Sequence, residues 1–202
     1  MRLTPQSLKD QNFKLLEKVD HDNFSLFIRQ QRKKFSTINL VYWLFVICFL
    51  AMTGYYFFDS TTSIFFKLLF LGLGVIIAFV LTPLHEFIHF LAYKCFGAEN
   101  VTIKSYNMLG YMLTNADQFV VSKREMKWIA TAPFLIITTI GIMLLYFLND
   151  MIQISICSMI LFHTTLCHAD FLILNYFLGS ESDIFMYDDI QDESTFIYCL
   201  KK

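Results

Sequence analysis

Four stretches of this chain are apolar over the roughly 20 residues that a helix needs to cross a hydrocarbon layer: 38–58, 64–96, 126–148 and 152–178. In lipid every backbone N–H and C=O must find a partner within protein, so runs of this kind fold as helices packed side by side. Composition agrees, because only 16% of the residues are charged, against about 25% in a soluble domain. The expected fold is an all-α membrane protein, a bundle of about four transmembrane helices in a lipid bilayer. The second and fourth runs exceed one span and are expected to tilt or project. A net charge of −1 implies no nucleic-acid partner.

Short connections at 59–63 and 149–151 turn the spans into two hairpins, joined by the polar stretch 97–125. There, β-branched and aromatic residues from Val101 to Tyr106 and from Tyr111 to Thr114 flank an Asn-Met-Leu-Gly turn. This predicts a short β-hairpin between the second and third spans. Cytoplasmic loops retain Lys and Arg, and of the 16 basic residues all but Lys67 lie before the first span, in or beside the middle segment, or at the chain end. Both termini of this multi-pass cell-membrane protein are therefore expected in the cytoplasm. The expected organisation is a basic N-terminal segment over 1–37, a transmembrane bundle over 38–178 and an acidic cytoplasmic tail over 179–202, read as solvated chain. Residues 1–37 lack the apolar core of a secretory signal; their "RQQRKKF" run is a topology signal or a contact for anionic head groups. The five cysteines form no CxxC pair and read as small packing residues.

The second run contains "LTPLHEFIHFLAYKCF", residues 81–96, in which His85, Glu86 and His89 make H-E-x-x-H. On a helix, positions four apart share a face, so both imidazoles reach one Zn²⁺ while Glu86 stands beside them to handle a proton. An uncompensated glutamate in a span costs about 3 kcal/mol. With only five histidines in the chain, a chance match to the motif is disfavoured. Pro83 reads equally as a bend that frees a carbonyl and as a tolerated membrane proline, and Gly72 and Gly74 are expected to mark close helix contact.

A catalytic zinc commonly has three protein ligands, and the remaining candidates gather in and after the last span: His163, His168, Asp170 and Asp183. With a rise of about 1.5 Å per residue from outer ends near Ile64 and Ile152, His85 lies about 32 Å along its helix, Asp170 about 27 Å, His163 about 16 Å and Asp183 about 46 Å. Asp170 matches His85 best. His168 has a suitable depth but points roughly 160° away from Asp170. His163 shares the Asp170 face and reads as a contact to a ligand or to substrate, and as one candidate for steadying an oxyanion; both His163 and His168 read equally well as ordinary packed, hydrogen-bonded histidines.

The "HEFIHFLAYKCFG" stretch, the tyrosine-bearing middle segment, "SKREMKWIATAPF" leading into a span, the Asp-bearing last span and the tail "YDDIQDESTFIY" together resemble the zincin-type membrane peptidases of bacteria. The resemblance covers roughly residues 64–198. That group is distantly similar to the site-2 proteases, which are intramembrane zinc peptidases, although the Asn-Pro-Asp-Gly type of signature around the site-2 ligand is absent here. The resemblance implies His85, His89 and Asp170 as zinc ligands and Glu86 as the general base.

The expected function is a membrane-embedded zinc metallopeptidase acting on membrane-associated proteins or peptides, with zinc as cofactor. Helical substrate hides its peptide bonds, so an edge strand in 97–125 is expected to hold an extended segment by β-augmentation. A non-enzymatic, zinc-stabilised membrane scaffold or regulator is the alternative; it would keep His85 and His89 but tolerate Glu86→Gln. A transporter would line a path through the bilayer with polar groups, whereas here they gather near one leaflet. The acidic tail has a second reading as a lid over the cytoplasmic mouth.

Overall fold

The computed structural model describes residues 2–10, 13–31, 36–105, 112–180 and 182–201. Helix α1 (Pro5–Asp10), strand β1 (Phe13–Asp20), a single 3₁₀ turn and α2 (Phe24–Gln31) precede the bundle. The bundle comprises α3 (Thr37–Asp59), α4 (Ile64–Val80), α5 (Thr82–Cys95), α6 (Lys123–Leu145), α7 (Asp150–Leu166) and α8 (His168–Leu178). Strands β2 (Val101–Ser105), β3 (Met112–Ala116) and β4 (Val121–Ser122) stand between α5 and α6, and β5 (Ile184–Asp189) and β6 (Ser194–Leu200) follow α8.

By length and composition, α3, α4 with α5, and α6 can each cross a membrane, and the α7–α8 pair makes a fourth if its 45° bend lies within one span. Two expected rods are therefore broken. The second breaks at Leu81, so Pro83 stands in the first turn of a new helix, where a missing N–H costs nothing. The fourth breaks at Cys167, whose N–H bonds the His163 carbonyl as α7 ends.

Polar groups join the helices where hydrocarbon alone would not. Ser155 and Ser158 Oγ donate to the Phe70 and Leu71 carbonyls at 2.7 and 2.8 Å. A Cβ at Gly74 would overlap the Ser155 carbonyl, so α4 lies against α7 at a distance only glycine permits. Gly72, by contrast, faces open space. Tyr42, Phe49, Ala78, Ile88, Phe134, Ile137, Ile160 and Phe171 fill the bundle centre, while the outer faces expose Ile47, Leu50, Ile76 and Ile140, as lipid-facing helices do.

The molecule is mostly helical but not all-α. The hairpin expected in the middle segment is present as β2–β3, pairing Val101 with Ala116 and Ile103 with Thr114; its Asn-Met-Leu-Gly turn lies outside the described residues. A second sheet, in the order β1-β6-β5-β4, joins segments from both chain ends. Residues 184–200 are thus not solvated chain. β5 and β6 alternate or cluster apolar residues such as Ile184, Met186, Tyr187, Ile197 and Tyr198, all of which are buried, and burying them outweighs the solvation of the flanking acids. The β1–β6 register runs antiparallel from Phe13↔Leu200 to Asp20↔Ser194. The sheet packs through Val121, Met186 and Ile197 onto Tyr93, Met126, Leu172 and Phe177 at the adjoining ends of α5, α6 and α8. A capping box between Ser122 and Glu125 starts α6 there, and Arg2 holds Glu125 at 2.7 Å.

Candidate metal centre

Because α5 begins afresh after Leu81, His85 is hydrogen-bonded by its N–H to the Leu81 carbonyl and the H-E-x-x-H residues occupy the middle of a short helix. His85, Glu86 and His89 are all buried. Asp170 enters from the first turn of α8, directed inward by the bend at Cys167, and a carboxylate suits a helix N-terminus.

The donor atoms converge. His85 Nε2 and His89 Nε2 lie 3.2 Å apart, and Asp170 reaches them with Oδ2 at 3.3 Å and Oδ1 at 3.4 Å respectively. Ligands held at about 2.0–2.1 Å in a tetrahedron stand roughly 3.3 Å from one another, so this triangle has the dimensions of three zinc ligands. The tautomer fits as well. His89 Nδ1 lies 2.9 Å from the Ile129 carbonyl of α6; a carbonyl only accepts, so Nδ1 carries the proton and the Nε2 lone pair is directed into the triangle.

Glu86 points beside this set. The Thr114 hydroxyl of β3 lies 2.8 Å from its Oε2 and 3.0 Å from its main-chain carbonyl, donating to one at a time. An open cavity of about 410 Å³ borders the cluster, lined by His85, Glu86, His163, Asp170, Met112 and Leu113 among others.

Of the other candidates, His163 stands at the end of α7 with Nε2 3.2 Å from His85 Nδ1. His168 is not among the converging donors; it stacks on Tyr42, the ring centroids 4.8 Å apart, and lines the same cavity. Asp183 lies beyond α8, its carbonyl accepting from Leu200 N–H. Sequence reasoning missed Thr114, which carries no signal in a hairpin of mixed residues. It also passed over Cys167, although four residues after His163 it shares that residue's helical face.

The fold and the convergent set define a helical, membrane-compatible protein with a candidate zincin centre. Residues 78–185 match the family described as "Putative zincin peptidase", more than half the chain, from the end of α4 into β5. The chain belongs to that family. No curated protein and no solved structure matches it.

Proposed function

We propose that this zincin-family protein is a membrane-embedded zinc metallopeptidase that hydrolyses peptide bonds of membrane-associated proteins or peptides, in the manner of a distant site-2-type protease. Zinc is the cofactor the family implies, and His85, His89 and Asp170 would hold it. The observation that carries this reading is the 3.2–3.4 Å spacing of their donor atoms with a buried glutamate alongside. When bound, the ion supplies Lewis-acid polarisation of the scissile carbonyl and the attacking water.

The protein groups do the rest. Glu86 takes the water's proton onto its carboxylate and later delivers one to the leaving amine nitrogen. Thr114 orients the carboxylate by donating to Oε2. The Ile129 carbonyl keeps His89 in the tautomer that binds. Met112 and Leu113 of β3 form a wall of the cavity, so an extended substrate segment has a strand beside it to lie along. The candidate edge is β3, within the 97–125 segment.

The test combines metal analysis with proteolysis. Purified wild-type protein should hold one zinc per chain and cleave a membrane peptide substrate. Asp170→Ala should lose the metal, and Glu86→Gln should keep it while losing cleavage. A Glu86→Gln protein that retains full function would support the scaffold alternative and overturn the peptidase.

A further inference from the structure

His85 has two ring nitrogens, and each faces its own set of donors. Nε2 faces His89 and Asp170. Nδ1 faces the junction of α7 and α8, where His163 Nε2 lies 3.2 Å away and Cys167 Sγ 3.9 Å away. The sulfur is also 3.8 Å from His163 Nε2. His163 and Cys167 stand one helical turn apart, linked by the Cys167 N–H to His163 carbonyl bond, so both side chains project from one face toward His85. All three residues are buried, His163 at 1% and Cys167 at 0% exposure, and one donor atom from each lies within 4.8 Å of the other two. The peptidase chemistry leaves the thiol unused.

We infer that His85 Nδ1, His163 and Cys167 form a second cation site, selective for a thiophilic ion, that competes with the His85–His89–Asp170 set for the shared imidazole. A tetrahedral ion with sulfur at about 2.3 Å and nitrogen at about 2.0 Å separates those ligands by roughly 3.5 Å. The observed 3.8 and 3.9 Å close to that by a few tenths of an ångström, and a larger soft ion needs less movement. A thiolate with two imidazoles suits zinc, copper(I) and their heavier analogues, whereas two imidazoles with a carboxylate form a harder set. Binding displaces the Cys167 thiol proton to solvent.

Competition follows from the valence of the ring. A neutral imidazole has one N–H and one lone pair. With Nε2 engaged in the first set, the proton sits on Nδ1 and is donated to His163 Nε2. With Nδ1 engaged in the second, the proton sits on Nε2 and the first set is reduced to His89 and Asp170. One ion is held at a time, and the thiophilic ion is an inhibitor. This competition rests on the assignment of zinc to the first set; the existence of the second site does not.

Cadmium is the probe, added to the full-length zinc-loaded protein in detergent. Sulfur-to-cadmium charge-transfer absorption reports thiolate binding, and elemental analysis reports zinc. The wild type should develop the band at one cadmium per chain and release zinc one for one. Cys167→Ala and the isosteric Cys167→Ser should each lose the band while keeping zinc, which also shows that they fold and that the other four cysteines contribute nothing. His89→Ala, in which only the thiolate set is intact, should still give the band. A band of wild-type size in both Cys167 variants overturns the site, and a wild-type band that forms with zinc retained overturns the competition. Zinc retained by His89→Ala but lost by His89→Ala/Cys167→Ala places that ion in the second site, whereas zinc retained by both refutes the first-set assignment and leaves the second site standing on its own band.

Discussion

Among single residues, Thr114 is the one whose removal isolates proton transfer from metal binding. Its hydroxyl touches Glu86 and none of the three proposed ligands, and a hydrogen bond to a charged group contributes about 1.5–3 kcal/mol. Thr114→Val should therefore lower kcat about 10- to 100-fold with zinc content unchanged, read by single-turnover cleavage beside metal analysis. Asp188, in β5, bears on stability instead. Burial pushes its carboxyl up from the usual range, against the weaker opposing pull of the Thr195 hydroxyl and the nearby His21. Between its ordinary value and the raised one the folded chain holds a proton that the unfolded chain has lost, so this group's contribution to stability is greatest in acid and falls as pH rises through that window. Thermal melting followed upward from about pH 4 should show this slope in the wild type and a flatter one in Asp188→Asn. Neither residue was legible in the sequence as more than hairpin filler or tail acid, because their roles come from partners 28 and 7 positions away. The H-E-x-x-H residues were legible because their meaning lies in a spacing internal to one helix.

At the scale of elements, glycine separates what sequence reading treats alike. Gly72 and Gly74 both suggested close helix contact, but only Gly74 meets α7, where an added Cβ would overlap the Ser155 carbonyl and crowd Ser158. Gly74→Val should destabilise by about 1–3 kcal/mol as other overpacked sites do, with a lowered Tm in detergent, while Gly72→Val should melt as the wild type does. The helix breaks are the elements a hydropathy pattern hides, because Leu81 and Cys167 sit inside unbroken apolar runs. Matching depths along straight rods nonetheless pairs Asp170 with His85, as the structure does. The β2–β3 hairpin was visible because its strands are local, whereas β1–β6 pairing, between opposite ends of the chain, leaves no local trace.

For the whole molecule, the strand pairings constrain how often the chain crosses a membrane. β1 precedes α3 and pairs with β6, which follows α8; β4, between α5 and α6, pairs with β5. A sheet with open edges cannot lie in hydrocarbon, so these segments share one aqueous side. The chain must then cross an even number of times between β1 and β4, and again between β4 and β5. Two hairpins satisfy this, α3 with α4–α5 and then α6 with α7–α8, and we propose the bent pair as the fourth crossing. From the excess of Lys and Arg near these segments we propose that this side is the cytoplasm. In a variant with its native cysteines replaced by serine, Lys9→Cys, Glu99→Cys and Asp192→Cys should each react with an impermeant maleimide only from the cytoplasmic face. Thr61→Cys and Asn149→Cys should react only from the other. Labelling of Lys9→Cys and Asp192→Cys from opposite faces would break the shared sheet, and labelling of Glu99→Cys from the Thr61 side would leave β4 without its partner and the Glu86 clasp on the wrong side of the bilayer.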